Sequence, residues 1–297
     1  PPPPPPPEPC EPPSTVEEGC AEADDCTAGY DMELGDVDAE SCVAQCICVE
    51  RAPLEAGPVG RYSDLTVIDG SAWVSAYAEA YGDLVVGEHR GMGGFIWYWV
   101  DGMPADGEVV AGPSGPRGGI DGPGPDVGQH TSIAGGADGT IHIAYYDVDN
   151  RALKYALGRA NEDGVREFST MTLAAEGDAG KWPNLTVGPD GRPAIAYRVG
   201  SIEGISYLHY ISASSGQPQS PDDWSEPMVV HAIDLEGVEP DTASYPEGTG
   251  LHTSGVRDAD GLPVLAWYDR SGGRLWWSRM VDAGFSQPEL LAGWGHP

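Results

Sequence analysis

The sequence is poor in basic residues, and this scarcity limits what the protein can bind. Its 297 residues include 15 Lys and Arg, of which only Lys154 and Lys181 are lysines, against 47 Asp and Glu. The formal net charge of -32 at pH 7 repels nucleic acids and anionic membrane surfaces. Nucleic acid is therefore not expected as a partner, whereas the acidity leaves calcium open as a ligand.

Long apolar runs are also missing, and Phe is scarce. No stretch reaches the roughly 18 apolar residues that a membrane-spanning helix needs, so no transmembrane segment is expected. The chain has only 3 Phe but 13 Tyr, 9 Trp, 42 Gly and 28 Pro. This composition disfavours long helices and suits many short strands joined by turns, so it predicts an all-β fold.

Cysteine is absent from the sequence after residue 48. The six cysteines fall at Cys10, Cys20, Cys26, Cys42, Cys46 and Cys48. An even number in a short segment predicts a disulfide-stapled module over residues 10–50 in an oxidising compartment, with the pairing left open. A thiolate metal site on Cys42, Cys46 and Cys48 is the alternative, although the segment has no His to complete it.

Residues 1–9 are seven prolines followed by Glu8 and Pro9. Such a run favours an extended polyproline II stalk, and a Pro-rich binding ligand is the alternative interpretation. Together with the cysteines, the stalk predicts an extracellular or cell-surface protein, with a membrane tether through its N-terminus and a leader that is not part of this chain.

Four repeats organise the rest of the sequence. They begin near residues 60, 128, 180 and 250 with GRYSDLTVIDG, GQHTSIAGGADG, GKWPNLTVGPDG and GLHTSGVRDADG. In each repeat a run of alternating apolar residues leads into an Asp-Gly turn and a second such run, which is the pattern of a β-hairpin. The residues from Trp294 to Pro297 match the opening of another repeat, with His296 at the place of His130.

Each repeat also supplies a third and a fourth strand. The third strands are predicted at 84–88, 153–156, 206–211 and 275–279, and the fourth at 95–100, 168–173, 226–231 and 285–291. Four antiparallel strands per repeat make a propeller blade, so residues 60–297 are predicted to form a β-propeller. It is either a ring of four blades or part of a larger ring of roughly five to seven.

The repeats, read as GxHTSIAxxxDGxxHIAYYDxxxxxLKYA, resemble secreted bacterial propeller repeats of the BNR or sialidase-like superfamily. The Pro-rich and Cys-rich beginning resembles that of myxobacterial surface lipoproteins. This resemblance implies the propeller fold and an exported, carbohydrate-related protein. It does not imply any particular activity, because the architecture hosts hydrolases, lyases, lectins and scaffolds. The Asp-box of sialidases is absent, which argues against sialidase activity.

The best candidate site lies at the channel mouth opposite the Asp-Gly turns. Residues that enter the first strand and leave the second strand of each blade should meet there, and aromatic, basic and acidic side chains recur at these positions. The candidate ligand-binding residues are Tyr62, Tyr77, His130, Tyr146, Asp147, Trp182, Arg198, His252, Tyr268 and Asp269. The competing interpretation is that they pack between the blades.

Two functions fit these residue types. A module that binds a glycan or a surface protein needs only aromatic rings and loops, and Trp97, Trp99, Trp267, Trp276 and Trp277 add to the stock of rings. A polysaccharide lyase or glycoside hydrolase is the alternative, with His130, Tyr146, Arg198 and His252 as its catalytic residues. Asp147-Val148-Asp149-Asn150 and Asp258-Ala259-Asp260-Gly261 look like beginnings of calcium loops but lack the closing Glu, so turns are expected there.

Overall fold

The computed structural model describes residues 30–37, 44–50, 59–79, 81–91, 94–103, 124–162, 164, 166–238 and 246–293. The chain divides into two compact units. The polyproline stalk, Cys10, Cys20, Cys26, Cys42 and residues 294–297 lie outside the described residues, and so do the side chains of Cys46 and Cys48. The predicted disulfides therefore stay a prediction.

The first unit, which contains residues 1–55, includes one hairpin. Strands β1 (Tyr30–Val37) and β2 (Ala44–Glu50) pair antiparallel, with Tyr30 opposite Glu50 and Val37 opposite Ala44. The register shifts between Leu34 and Val37.

The second unit contains four antiparallel sheets in which consecutive strands are neighbours. Blade 1 comprises β3 (Val59–Ile68), β4 (Ser71–Ala78), β5 (Asp83–His89) and β6 (Phe95–Asp101). Blade 2 comprises β7 (Val127–Gly135), β8 (Ile141–Asp147), β9 (Ala152–Ala160) and β10 (Arg166–Ala174). Blade 3 comprises β11 (Ala179–Val187), β12 (Pro193–Ile202), β13 (Ile205–Ser212) and β14 (Met228–Asp234).

Blade 4 has a divided outer strand. It comprises β15 (Leu251–Arg257), β16 (Pro263–Asp269), β17 (Arg274–Val281), β18 (Gly284–Phe285) and β19 (Glu289–Gly293), and the last two both pair with β17. The single fourth strand predicted at 285–291 is thus two short pieces, because Gln287 and Pro288 interrupt the ladder and Pro has no amide hydrogen to donate. The predicted all-β propeller is confirmed.

The apolar core lies between successive blades. Trp73, Ile133 and Tyr145 belong to the cluster between blades 1 and 2, and Leu185 and Tyr197 belong to the cluster between blades 2 and 3. Trp267, which has no exposed surface, belongs to the cluster between blades 3 and 4. The blades are therefore held together mainly by apolar side chains that alternate along their strands.

The Asp-Gly turns lie at one end of the inner strands, which we call the turn end. Gly70, Gly139, Gly191 and Gly261 have φ between 76° and 81°, which is the left-handed conformation that a tight turn needs. The opposite end, where the inner strands begin, we call the mouth. Tyr62 at the mouth and Asp69 at the turn end are seven residues apart, or roughly 23 Å along an extended strand.

Candidate functional site

Each inner strand has an irregularity at the same position near the mouth. The register shifts between Arg61 and Asp64 in β3, and it shifts at the equivalent residues of β7, β11 and β15. The residues inside these bulges are Tyr62, His130, Trp182 and His252, with φ of 56°, 53°, 49° and 50°. Left-handed backbone is rare for bulky residues, and four such positions in a row suggest a functional constraint.

Glycines ahead of the bulges let the blades approach each other. A Cβ atom on Gly128 would lie 2.7 Å from the Cα of Leu84, and one on Gly180 would lie 2.6 Å from the Cα of Leu153. Only Gly fits at such distances from a neighbouring backbone. These glycines therefore fix where each bulge lies against the preceding blade.

The bulges bring four rings into one row across the mouth, which we call the aromatic row. The ring centroids of Tyr62 and His130 are 4.5 Å apart, those of His130 and Trp182 are 4.6 Å apart, and those of Trp182 and His252 are 5.4 Å apart. The row borders a cavity of about 970 Å³ that all four inner strands line. Four of the ten predicted site residues thus form one continuous surface.

Three residues from the second strands stand behind the row. The ring of Tyr77 is 6.0 Å from that of Tyr62, and the ring of Tyr146 is 6.2 Å from that of His130, both edge-on. The guanidinium carbon of Arg198 is 6.0 Å from the ring of Trp182. The structure therefore groups these three predicted residues with the row.

The other three predicted residues lie apart from these contacts. The buried carboxylate of Asp147 accepts hydrogen bonds from the backbone and side chain of Asn150, and that of Asp269 accepts one from the amide of Gly272. Both carboxylates hold the turns that follow their strands. Tyr268 is half-buried and lies opposite Leu251 in the β15–β16 ladder.

Two aspartates that the sequence analysis missed complete the site. The hydroxyl of Tyr77 donates to Asp126 at 3.0 Å, and that of Tyr146 donates to Asp178 at 2.5 Å. Asp178 also accepts a hydrogen bond of 2.8 Å from Lys181. Both aspartates stand two residues before the glycine that opens the next inner strand, so the Asp-x-Gly spacing could have identified them.

These pairs shift the acidity of their members. Burial, and then Asp126, raises the pKa of Tyr77 to about 12. Burial and Asp178 likewise raise the pKa of Tyr146. Burial opposes ionisation of Asp178, but the hydrogen bonds from Lys181 and Tyr146 outweigh it and hold the pKa of this carboxyl below its usual value. At neutral pH the two tyrosines are therefore uncharged donors.

His130 is uncharged at neutral pH. Burial, followed by the positive charge of Lys181, lowers the pKa of His130 to about 3. An imidazole with this pKa is a poor proton acceptor at pH 7, since effective general bases have a pKa near the working pH. In this geometry His130 is a neutral ring within the aromatic row.

Arg198 is the most deeply buried cation of the site. Its side chain is 98% buried, and one amino group donates to the carbonyl oxygen of Glu247 at 2.8 Å. Its Nε and Nη1 groups have no hydrogen-bond partner. Arg198 also borders a second cavity of about 560 Å³, together with Arg151, Asp178 and Glu247. A buried guanidinium with unused N–H groups can donate further hydrogen bonds to ligand oxygens.

Other candidate features have ordinary structural surroundings. Trp267 is core, Trp276 packs against the cluster between blades 3 and 4, and Trp97 and Trp99 pack against a cluster of blade 1. Among the described residues, no group of three or more His, Cys, Asp or Glu side chains is arranged to hold a metal ion. Within the same residues, no helix is long and apolar enough to cross a membrane.

Comparisons with known proteins give structural neighbours only. No protein-family model matches the chain, and neither does any curated protein. The Hadza microbial sialidase Hz136 matches with a TM-score of 0.48 and 14% identity, and the match covers 76% of this chain and 46% of the sialidase chain. An exo-β-1,3-galactanase from Clostridium thermocellum matches with a TM-score of 0.43 and 11% identity, over 77% and 48%.

A third structure is an α-L-arabinofuranosidase from Podospora anserina. It matches with a TM-score of 0.38 and 12% identity, over 85% of this chain and 77% of its own. The chain thus spans less than half of the length of the sialidase and of the galactanase. Similarity at this level says nothing of substrate or activity.

Proposed function

We propose that this propeller binds a glycan at its mouth, with the aromatic row as the contact surface. The observation that carries the proposal is the row itself: four rings from four blades, with centroids 4.5 to 5.4 Å apart, beside a cavity of about 970 Å³. Sugar rings present apolar C–H faces that pack on aromatic side chains, while their hydroxyls need polar partners at the edges.

Polar groups beside the row fit that need. Arg198 has two unused N–H groups, and Arg61 and Lys181 line the same cavity as the row. The chain carries few basic residues overall, yet Arg61 and Lys181 line this cavity against one acidic residue, Asp64. Hydroxyl and carboxylate oxygens of a sugar can accept hydrogen bonds from these groups.

Binding is favoured over catalysis. The alternative is a polysaccharide lyase or glycoside hydrolase, with a proton-transfer pair formed by His130 and Tyr146. The lowered pKa of His130 and the raised pKa of Tyr146 both move these groups away from proton transfer at neutral pH. The alternative requires cleavage of a uronic-acid polymer, with unsaturated product absorbing in the ultraviolet, and loss of that cleavage in His130→Ala and His252→Ala.

The setting of this function is also a proposal. The six cysteines and the polyproline beginning support an exported protein of the cell surface, tethered through its N-terminus. A glycan of the surroundings would then be the ligand, and a surface protein is the alternative partner.

The test is a glycan array followed by calorimetric titration of the best ligand against two variants. Trp182→Ala should weaken the binding about tenfold or more, which corresponds to about 1.4 kcal/mol. Trp97→Ala, on the outer strand of blade 1, is the matched control and should bind as the parent does. An array without retained glycans, or equal weakening by both variants, would contradict glycan binding at the mouth.

A further inference from the structure

The junction between blades 3 and 4 differs from the two junctions before it. At those two, a tyrosine of the second strand donates to an aspartate that stands two residues before the glycine opening the next inner strand. These pairs are Tyr77 with Asp126 and Tyr146 with Asp178. At the third junction the equivalent residues are Arg198 and Gly248. A cation thus replaces the neutral tyrosine, and the residue that would supply a carboxylate has no side chain.

The unused N–H groups of Arg198 lie beside the second cavity. Its Nη2 donates to the carbonyl oxygen of Glu247, whereas Nε and Nη1 have no acceptor among the described residues. A Cβ atom on Gly200 would lie 3.4 Å from Nη1, and Gly200 lines the cavity of about 560 Å³. Burial lowers the pKa of this guanidinium. An acceptor in the cavity would therefore stabilise its charge.

The two carboxylates that line this cavity already have partners of their own. Asp178 accepts a hydrogen bond of 2.8 Å from Lys181. Glu247 lies 3.5 Å from the Nε of Arg270 and accepts a hydrogen bond of 3.0 Å from the hydroxyl of Ser271. Each carboxylate is thus neutralised by a different cation, and the cavity is left with an excess of positive charge.

We propose that the second cavity binds an oxyanion, namely a carboxylate, sulfate or phosphate group, through the unused N–H groups of Arg198. The ligand supplies the negative charge that Asp126 and Asp178 supply at the other two junctions. Arg151, an exposed residue that lines the same cavity, adds a second guanidinium on the solvent side. Hydrogen bonds between a guanidinium and an oxyanion are charge-assisted, and the planar fork of Arg matches the oxygens of such a group.

The overall charge of the chain makes this site specific. A net charge of -32 repels anions from most of the surface, so saturable anion binding requires a local group of cations. The oxyanion is either free in solution or an acidic group of the ligand at the mouth, since the guanidinium carbon of Arg198 is 6.0 Å from the ring of Trp182. The chemistry at Arg198 is the same in both cases, and the inference does not depend on glycan binding.

The experiment is calorimetric titration of the 297-residue chain with inorganic sulfate, inorganic phosphate and glucuronate, at constant ionic strength in chloride, with uncharged glucose as the reference. At least one oxyanion should bind saturably, and Arg198→Met should weaken that binding about tenfold or more. Arg151→Gln should weaken it about threefold, because an exposed charge contributes less. Arg192→Gln, which changes an exposed arginine at the turn end, is the matched control and should bind as the parent does.

The outcomes separate the source of the anion and the two proposals. Binding of sulfate or phosphate supports a site for a free anion, and binding of glucuronate alone supports an acidic sugar. Oxyanion binding together with a blank glycan array would support this site while contradicting glycan binding at the mouth. The site is overturned if none of the three oxyanions binds, or if Arg198→Met binds as the parent does. Should Arg198→Met fail to fold, equal affinities of Arg151→Gln and Arg192→Gln would overturn it.

Discussion

The inner strands of the middle blades and of the end blades carry equivalent residues in different surroundings. In β7 and β11 the apolar residue after the bulge is buried between two sheets, whereas in β3 the equivalent Leu65 faces outward. In β3 and β15 exposed and covered residues alternate along the strand, and the exposed sides are opposite ones. The contribution of a residue to stability should therefore depend on its blade more than on its type.

The largest expected difference is between two leucines. Replacing Leu185 with Ala removes a buried side chain from the core between blades 2 and 3 and should lower the free energy of unfolding by about 2–5 kcal/mol. Leu65→Ala in the same 297-residue chain should change it by no more than about 0.5 kcal/mol, because that side chain is already exposed. Chemical denaturation followed by tryptophan fluorescence measures both.

An equal loss of unfolding free energy in Leu185→Ala and Leu65→Ala would contradict this expected difference. It would mean that Leu65 is covered in solution. Light scattering on the parent chain would then show whether association is the cause.

Lowering the pH of the solution should have a smaller effect on stability, through two buried histidines of blade 2. Burial lowers the pKa of His130 to about 3 and that of His142 to about 4, while a histidine of the unfolded chain titrates near 6.5. Below pH 6.5 the unfolded chain therefore binds protons that the folded chain does not. Stability should be complete above pH 6.5 and should decline as the pH falls, by up to about 1.4 kcal/mol per pH unit for each histidine.

Thermal unfolding at pH 7.5, 6.0 and 5.0 measures this dependence. His130→Gln and His142→Gln should each make it shallower, and the double variant should make it shallower still. A parent chain whose stability is the same at pH 7.5 and 5.0 would show that these rings are not buried as described.

Much of the fold and part of the site were predictable from the sequence. Alternating apolar residues on both sides of Asp69-Gly70 and its equivalents predict the hairpins, because an Asp-Gly pair readily adopts the positive φ angles of a tight turn. Alignment of the repeats also identified Tyr62, His130, Trp182 and His252 as equivalent positions, which the structure joins in the aromatic row.

Other features depend on interactions that repeat alignment does not encode. The left-handed bulge depends on how closely Gly128 approaches Leu84 of the preceding blade, which is a tertiary distance. Asp126 and Asp178 precede the aligned segments. Their hydrogen bonds with Tyr77 and Tyr146 were therefore not predicted. Alignment likewise places Leu65 and Leu185 at equivalent positions, although Leu185 is buried between blades 2 and 3 and Leu65 is exposed.

The smallest expected difference is between two serines at equivalent positions. Ser132 accepts a hydrogen bond from the amide of Leu185 and donates one of 3.1 Å to Asp64, so it connects three blades. Ser132→Ala would leave the buried amide of Leu185 without an acceptor, and the free energy of unfolding should fall by about 1–3 kcal/mol. Ser254 is exposed in blade 4, and Ser254→Ala should stay within about 0.5 kcal/mol of the parent. Chemical denaturation of both variants and the parent measures the two changes, and equal losses would contradict a stabilising hydrogen bond between Ser132 and the amide of Leu185.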